Sequence, residues 1–318
     1  MTVTRFTRYL HATDILLVCF AALLTVIAVV FSSRIPQWGV LAAINCGGTV
    51  LIGILAYARH MLGWKTLAFI HDWYVAPVVF ISYKELYYMV GPIHLGRDFD
   101  EWLVAADRWL FGTDPTRWLT TLSHPVVTEI LQIAYTSFFF LFLIVGYELH
   151  RKGAMDSFRY FMFTCVYGFF LSYLGYLILP AIGPRFTLHD FATLNRELPG
   201  LLLTEPLRWF VNTGEGVPMN VSNVVAAAQV QRDVFPSGHT MMTIVLIYLA
   251  IKYSLRVRSF VTVTGVLLII GTVYLRYHYV VDLIAGGIFA LFCIGTSPHL
   301  NIEITKYFET MERRRKPA

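Results

Sequence analysis

The chain has 318 residues, 57% of them hydrophobic and 14% charged, with a mean hydropathy of +0.61. A soluble domain carries about 25% charged residues, so this composition excludes an ordinary water-soluble globule, and its apolar content excludes disorder. The net charge of +5 does not point to nucleic acid: the cations sit in short loops and tails, with no basic surface interleaved with aromatics.

A membrane-crossing helix needs roughly 20 mostly apolar residues. Eight stretches meet this, at about 14–33, 39–58, 67–90, 129–149, 158–179, 239–255, 260–276 and 279–297. The first has an apolar core from Ile15 to Phe31, longer than a signal peptide's and followed by no clear A-x-A site, so it is predicted to be a retained span. Between the third and fourth spans, FDEWLVAADRWLFG (99–112) mixes charged and apolar residues at near-helical spacing and predicts a helix lying in the interface. The longest connection is 180–238, within which Leu201 to Val211 is apolar enough for another interfacial helix; 186–234 reads either as a lid or as a mobile loop. Cys19, Cys46, Cys165 and Cys293 lie in apolar runs with no C-x-x-C pair and read as small buried hydrophobes. The expected organisation is an all-α, polytopic membrane helix bundle: two extra spans in 1–66, a six-helix core in 67–297 and a basic tail in 298–318.

Lys and Arg orient the bundle. With the N-terminus inside, the inner segments hold 15 cations and the outer segments 9, Lys84 falling within the third span. The outer ones include Arg97, Arg108 and Arg117, which mix with Asp98, Asp100, Glu101, Asp107 and Asp114. Both termini are therefore predicted cytoplasmic, in a cell or inner membrane.

Three clusters then converge on the non-cytoplasmic face: LPAIGPRF (179–186), FPSGHT (235–240) and YLRYHYVVDLIAG (274–286). In FPSGHT, Pro236 suits a first helical turn, and Ser237 and Gly238 leave main-chain N–H groups at a positive dipole end that favours a phosphate, within reach of His239. The bland reading is a helix cap with a snorkelling histidine. His278 and Asp282, four apart, share a helix face. An aspartate accepting from one imidazole nitrogen leaves the other as nucleophile or base; the bland reading is a capping Asp beside an interfacial His. Arg185 and Arg276 offer forked donors to phosphate oxygens, or are ordinary membrane-edge cations.

FPSGHT and HYVVD resemble the second and third signature motifs of the type 2 phosphatidic acid phosphatase superfamily, in order, spacing and span position over most of 67–297. The resemblance implies that His278 attacks phosphorus, that Asp282 orients it, that His239 acts as general acid and then base, and that Ser237, Gly238 and Arg185 hold the phosphate oxygens, with no metal and no cofactor. It implies a lipid phosphate or phospholipid substrate, with water or a polyol or sugar hydroxyl as acceptor. The sequence departs from the family's first and third motifs: Ile178 stands at the usual Lys and Thr272 at the usual Arg, for which Arg276 is the substitute at hand. The GPR, FPSGHT and HYVVDLIAG series, with Asp107, Gly112 and Pro115 upstream, is similar to the inositol-phosphorylceramide-synthase branch, whose members are head-group transferases. A non-catalytic lipid transporter or scaffold is the rival from another class, with Asp72, Lys84 and Glu85 as a polar pathway.

The remaining residues have bland readings. Lys84 and Glu85 suit snorkelling or an interhelical pair better than head-group contact. His71 and Asp72 lie toward the inner end of their span and read as structural. His94, His124 and His189 have no metal-ligand spacing. Trp38, Trp102, Trp109 and Trp118 fit an aromatic belt, and Arg313 to Lys316 a cytoplasmic anchor to anionic lipid.

Overall fold

The computed structural model describes residues 9–218 and 221–313, with side chains up to 307. The cations at 5, 8 and 314–316, and Asn220, lie outside the described residues. Every regular element among the described residues is helical. Apart from one 3-10 turn (Phe191–Thr193), in chain order these are α1 (Ala12–Val30), α2 (Trp38–Leu62), α3 (Lys65–Trp73), α4 (Val75–Ile93), α5 (Asp100–Phe111), α6 (Pro115–Thr120), α7 (Pro125–Thr136), α8 (Phe138–Arg151), α9 (Met155–Ile178), α10 (Pro184–Thr187), α11 (Leu194–Glu197), α12 (Thr204–Gly214), α13 (Asn223–Gln229), α14 (Gly238–Lys252), α15 (Arg258–Tyr274) and α16 (Val280–Arg313).

Four helices, α1, α2, α9 and the part of α16 up to Tyr307, are long and apolar enough to cross a membrane. α7 and α8 make a fifth if the pair, bent by 51° at Ser137, counts as one span. The Ser137 hydroxyl donates to the Ala134 carbonyl at 2.7 Å, the local back-bonding that bends helices. α14 and α15 are apolar but shorter. The expected third span divides at Tyr74 into α3 and α4. Pro77 has no N–H to offer the Trp73 carbonyl, and its ring crowds that carbonyl, so the helix is interrupted there.

Two compact units make up the chain. One holds residues up to Gly96, Met155–Phe170 and Phe292 onward. In it α1 lies along α2, burying the stripe Leu17, Phe20, Leu24 and Ala28 at three- and four-residue spacing. Its other face leaves Val26, Val29 and Val30 exposed, as a lipid-facing helix does. Tyr160 and Tyr167 pair with Ser297 and Thr296 at 2.9 and 3.1 Å.

The other unit holds Arg97–Ala154 and Leu171–Leu291. In it α15 packs on α7 and α14. The described residues of the connection 186–234 are folded onto this unit. Phe191, Leu194, Leu198, Val217, Ala226 and Val230 form one buried cluster with Leu131, Tyr135 and Tyr277. The Glu129 carboxylate of α7 accepts from the main-chain N–H groups of Leu201, Leu202, Leu203 and Thr204 at 2.5–3.2 Å and from the Thr204 hydroxyl at 2.6 Å. The stretch expected to form an interfacial helix, 201–211, holds α12. It buries the polar stripe Thr204, Arg208 and Asn212 and leaves Trp209 and Phe210 exposed. That inverted polarity suits an element whose outer surroundings are lipid.

Candidate active site

The site is built on the unit containing α14, α15 and the start of α16. Ser237 caps α14, its hydroxyl accepting from Thr240 N–H at 3.2 Å. The Ser237 N–H donates to the Asp282 carbonyl at 3.0 Å, tying the start of α14 to α16. Gly238 is required by contact: a Cβ there would lie 2.2 Å from the Tyr176 hydroxyl. Gly183 is required by conformation, with φ of +94° and a Cβ position 2.8 Å from the Tyr277 carbonyl.

His239 and His278 meet edge to face, their ring centroids 5.7 Å apart. Tyr135 and Phe138 flank the His239 ring at 4.6 and 4.5 Å. His278 is buried, and its Nδ1 lies 3.0 Å from the Val234 carbonyl. That oxygen can only accept, so Nδ1 carries the proton and Nε2 keeps its lone pair. The Asp282 carboxylate stands 3.5 Å from Nδ1 and accepts from Tyr279 N–H at 2.8 Å, within the first turn of α16. Burial pushes the His278 imidazole down to about 4, against the opposing pull of Asp233 and the Val234 carbonyl, so the ring is neutral at pH 7.

Arg185 begins α10, its N–H donating to the Arg276 carbonyl at 3.1 Å. Its guanidinium lies over the Tyr277 ring at 4.6 Å, donates to Asn212 at 3.0 Å and pairs with Glu215. Tyr277 in turn stacks on Tyr135 at 4.1 Å. Arg185, Tyr277, Tyr135 and His239 thus form one continuous stack. Arg276 is fully buried, and its guanidinium is committed elsewhere, to Glu197 at 2.6 Å and Thr120 at 3.1 Å. Burial acts to raise the Glu197 carboxyl, but the Thr193 hydroxyl and Arg276 outweigh it and hold the group below its ordinary value. His189 bonds Thr116 at 3.0 Å.

Two residues that sequence reasoning did not place in the site hold this arrangement together. Asp100 accepts from Ile182 N–H at 3.0 Å, Gly183 N–H at 2.8 Å and the Tyr279 hydroxyl at 2.8 Å. Asp107 accepts from Val280 and Val281 N–H at 3.0 and 2.8 Å, satisfying the first donors of α16. Burial pushes both carboxyls up, despite these bonds. α5 therefore clamps the Arg185 loop and the His278 loop from one side. The signal was present: Asp100, Leu103 and Asp107 recur at helical spacing on one buried face. Asn212 and Glu215 carried no comparable signal, because their partner Arg185 is 27 and 30 residues away.

A neutral imidazole with a free Nε2, a second imidazole beside it and a buried arginine together suit transfer of a phosphoryl group through nitrogen. The main-chain N–H groups expected to stand free at Ser237 and Gly238 are instead taken by the Asp282 carbonyl and the Tyr176 hydroxyl. Comparison with known proteins agrees in kind. The family description "PAP2 superfamily" matches residues 101–296. A PA-phosphatase related-family protein of Dictyostelium discoideum is 30% identical over 189 residues, covering 52% of this chain and 31% of the relative. The chain thus spans about a third of that relative's length. No solved structure matches.

Proposed function

The chain belongs to the PAP2 superfamily, and from that premise we propose that it is an integral membrane enzyme cleaving a lipid phosphoester through a phosphohistidine at His278. In the first step His278 Nε2 attacks phosphorus, the bond from phosphorus to the lipid oxygen breaks, and His239 gives a proton to the departing alkoxide. In the second, His239 takes a proton from water or an acceptor hydroxyl as that oxygen attacks phosphorus, and the P–N bond breaks. Arg185 holds the phosphate oxygens, and Ser237 and Gly238 join it only by releasing their N–H groups from the Asp282 carbonyl and the Tyr176 hydroxyl. Asp282 sets the start of α16 and, with the Val234 carbonyl, the orientation of His278. Arg276 reaches a phosphate only by leaving Glu197 and Thr120; as it stands, it supports Arg185 through its carbonyl. The catalytic core is 67–297, both termini are cytoplasmic, and the site faces the opposite side.

The observation that carries the reading is the 3.0 Å contact from His278 Nδ1 to the Val234 carbonyl, which frees Nε2 next to His239. The test is turnover by purified protein on a panel of lipid phosphates and phospholipids. His278→Ala is expected to abolish it, and His239→Ala and Asp282→Asn to lower it by about 10²–10⁴-fold, the range for general acid–base groups. Turnover unchanged in His278→Ala refutes the mechanism.

A second reading, transfer to a polyol or sugar hydroxyl as in inositol-phosphorylceramide synthases, is supported by Ile178 and Thr272 replacing the family's usual cations and by the folded cover at 186–234. Product that forms only with added myo-inositol acceptor, and no release of free phosphate, selects it. Lipid movement persisting in the double histidine variant, with no phosphate chemistry in the wild type, selects the transporter reading.

A further inference from the structure

The unit containing α1 to α4 carries a second polar centre that the proposed reaction does not use. His11, Asp14 and His71 each turn a ligand-type atom to one point, all within 4.8 Å of one another. Among the described residues no other three His, Cys, Asp or Glu side chains converge in this way. His71 is 2% exposed, and its Nε2 makes no well-formed hydrogen bond, its nearest acceptor being Asp14 Oδ2 at 3.3 Å. A buried polar atom left so requires an explanation, an ion among them.

We propose that His11, Asp14 and His71 bind one divalent transition-metal ion of the zinc or cobalt type. Zinc-to-nitrogen and zinc-to-oxygen bonds of about 2.0–2.1 Å place tetrahedral neighbours about 3.3–3.4 Å apart, the separation of His71 Nε2 from Asp14 Oδ2. Two imidazoles with one carboxylate suit such ions and disfavour magnesium and calcium, which take oxygen donors. The rings of His11 and His71 stand nearly perpendicular, 80° apart with centroids at 4.9 Å, so their donors approach from different directions. Outer partners hold the Asp14 carboxylate: the Tyr74 hydroxyl donates to Oδ1 at 2.5 Å and the His11 main-chain N–H to Oδ2 at 2.6 Å, so the ion takes the second lone pair of Oδ2. Three protein ligands leave a fourth position open to water or another small ligand.

Arg59 is the group the ion must accommodate. Its Nη1 lies 2.8 Å from His71 Nδ1 and 3.0 Å from Asp72 Oδ1. In the ion-free centre Arg59 donates to Nδ1 and the ring proton resides on Nε2. Metal uptake transfers that proton to Nδ1, and because two N–H groups cannot share the 2.8 Å contact, Nη1 must withdraw from the ring and keep Asp72 as its acceptor. Both histidines begin and end neutral, so the exchange is balanced.

The test uses untagged full-length protein in detergent, stripped with a chelator, dialysed and titrated with Co²⁺ and then Zn²⁺. The expected result is about one ion per chain, a visible Co²⁺ absorption displaced by Zn²⁺, and two imidazoles in the X-ray absorption of the zinc-loaded wild type. His71→Ala is expected to lose the ion, and Tyr74→Phe to bind about tenfold more weakly through its orienting contact. His239→Ala with His278→Ala is expected to keep it. Binding no greater than a detergent blank, a zinc shell without imidazole, or loss of the ion in the His239 and His278 variant each overturns the proposal. The wild-type readouts decide it even if His71→Ala does not fold.

Discussion

Asp100→Asn removes a carboxylate that holds two loops at once. Its oxygens accept from Ile182 N–H, Gly183 N–H and the Tyr279 hydroxyl at 2.8–3.0 Å, and the residue is 5% exposed. Bonds to a charged acceptor contribute about 1.5–3 kcal/mol each. An amide keeps one accepting oxygen but turns its NH₂ toward a main-chain N–H, so one bond is lost and two donors oppose each other. The expected destabilisation is about 2–4 kcal/mol. The loops it releases carry Arg185 and His278, and displacing reacting groups by about 1 Å can lower a rate 10²-fold; turnover is expected to fall about 10- to 100-fold. The assay pairs urea or thermal unfolding in detergent with turnover on the best substrate of the panel. Tyr279→Phe completes a double-mutant cycle, with an expected coupling of about 1 kcal/mol. Wild-type unfolding and turnover in Asp100→Asn, or strictly additive effects in the cycle, would refute the clamp.

Three further outcomes follow from the same geometry. Glu129→Ala strips the five bonds that hold residues 201–204; it is expected to speed proteolysis within 199–216 well before global unfolding, and equal cleavage rates would count against anchoring. Gly183→Ala places a Cβ 2.8 Å from the Tyr277 carbonyl at φ of +94°, so a loss of about 1–3 kcal/mol is expected; a neutral effect in calorimetry contradicts the close approach. Burial holds His278 and His189 at about 4, below the unfolded value of 6.5. The unfolded chain therefore binds more protons between these values, and stability rises with pH across about 4 to 6.5. Replacing both histidines by Gln is expected to flatten that slope, and an unchanged slope rejects the assignment.

What was legible in the sequence was local. The cap of α14 could be read from Ser237 and Gly238 because capping is decided within one turn. The spacing of His278 and Asp282 placed them together, and they lie 3.5 Å apart. The acceptor nearest the ring, however, is the Val234 carbonyl 44 residues away, and a main-chain oxygen has no residue type to betray it. The break at Tyr74 was readable from Pro77, whereas the bend at Ser137 was not, since serine there differs little from the same residue facing solvent. Arg276 was expected among phosphate ligands, but its side chain is held by Glu197, 79 residues earlier. A cation's partner, unlike its charge, is fixed only by tertiary packing.

The pairing of Arg185 with Glu215 changes what substrate capture would mean for the proposed enzyme. The guanidinium is already desolvated and already neutralised by a resident carboxylate, so an arriving phosphate does not fill a vacancy. It displaces a rival anion. The driving force is then only the difference between two anions at one fork, and a dianionic phosphomonoester competes far better than a singly charged phosphodiester. Glu215 lies immediately beyond α12, within the connection that packs on Tyr135 and Tyr277, so an evicted carboxylate would leave from that segment. Substrate charge then decides whether Glu215 keeps its place at Arg185, and an uncharged lipid has no means of displacing it.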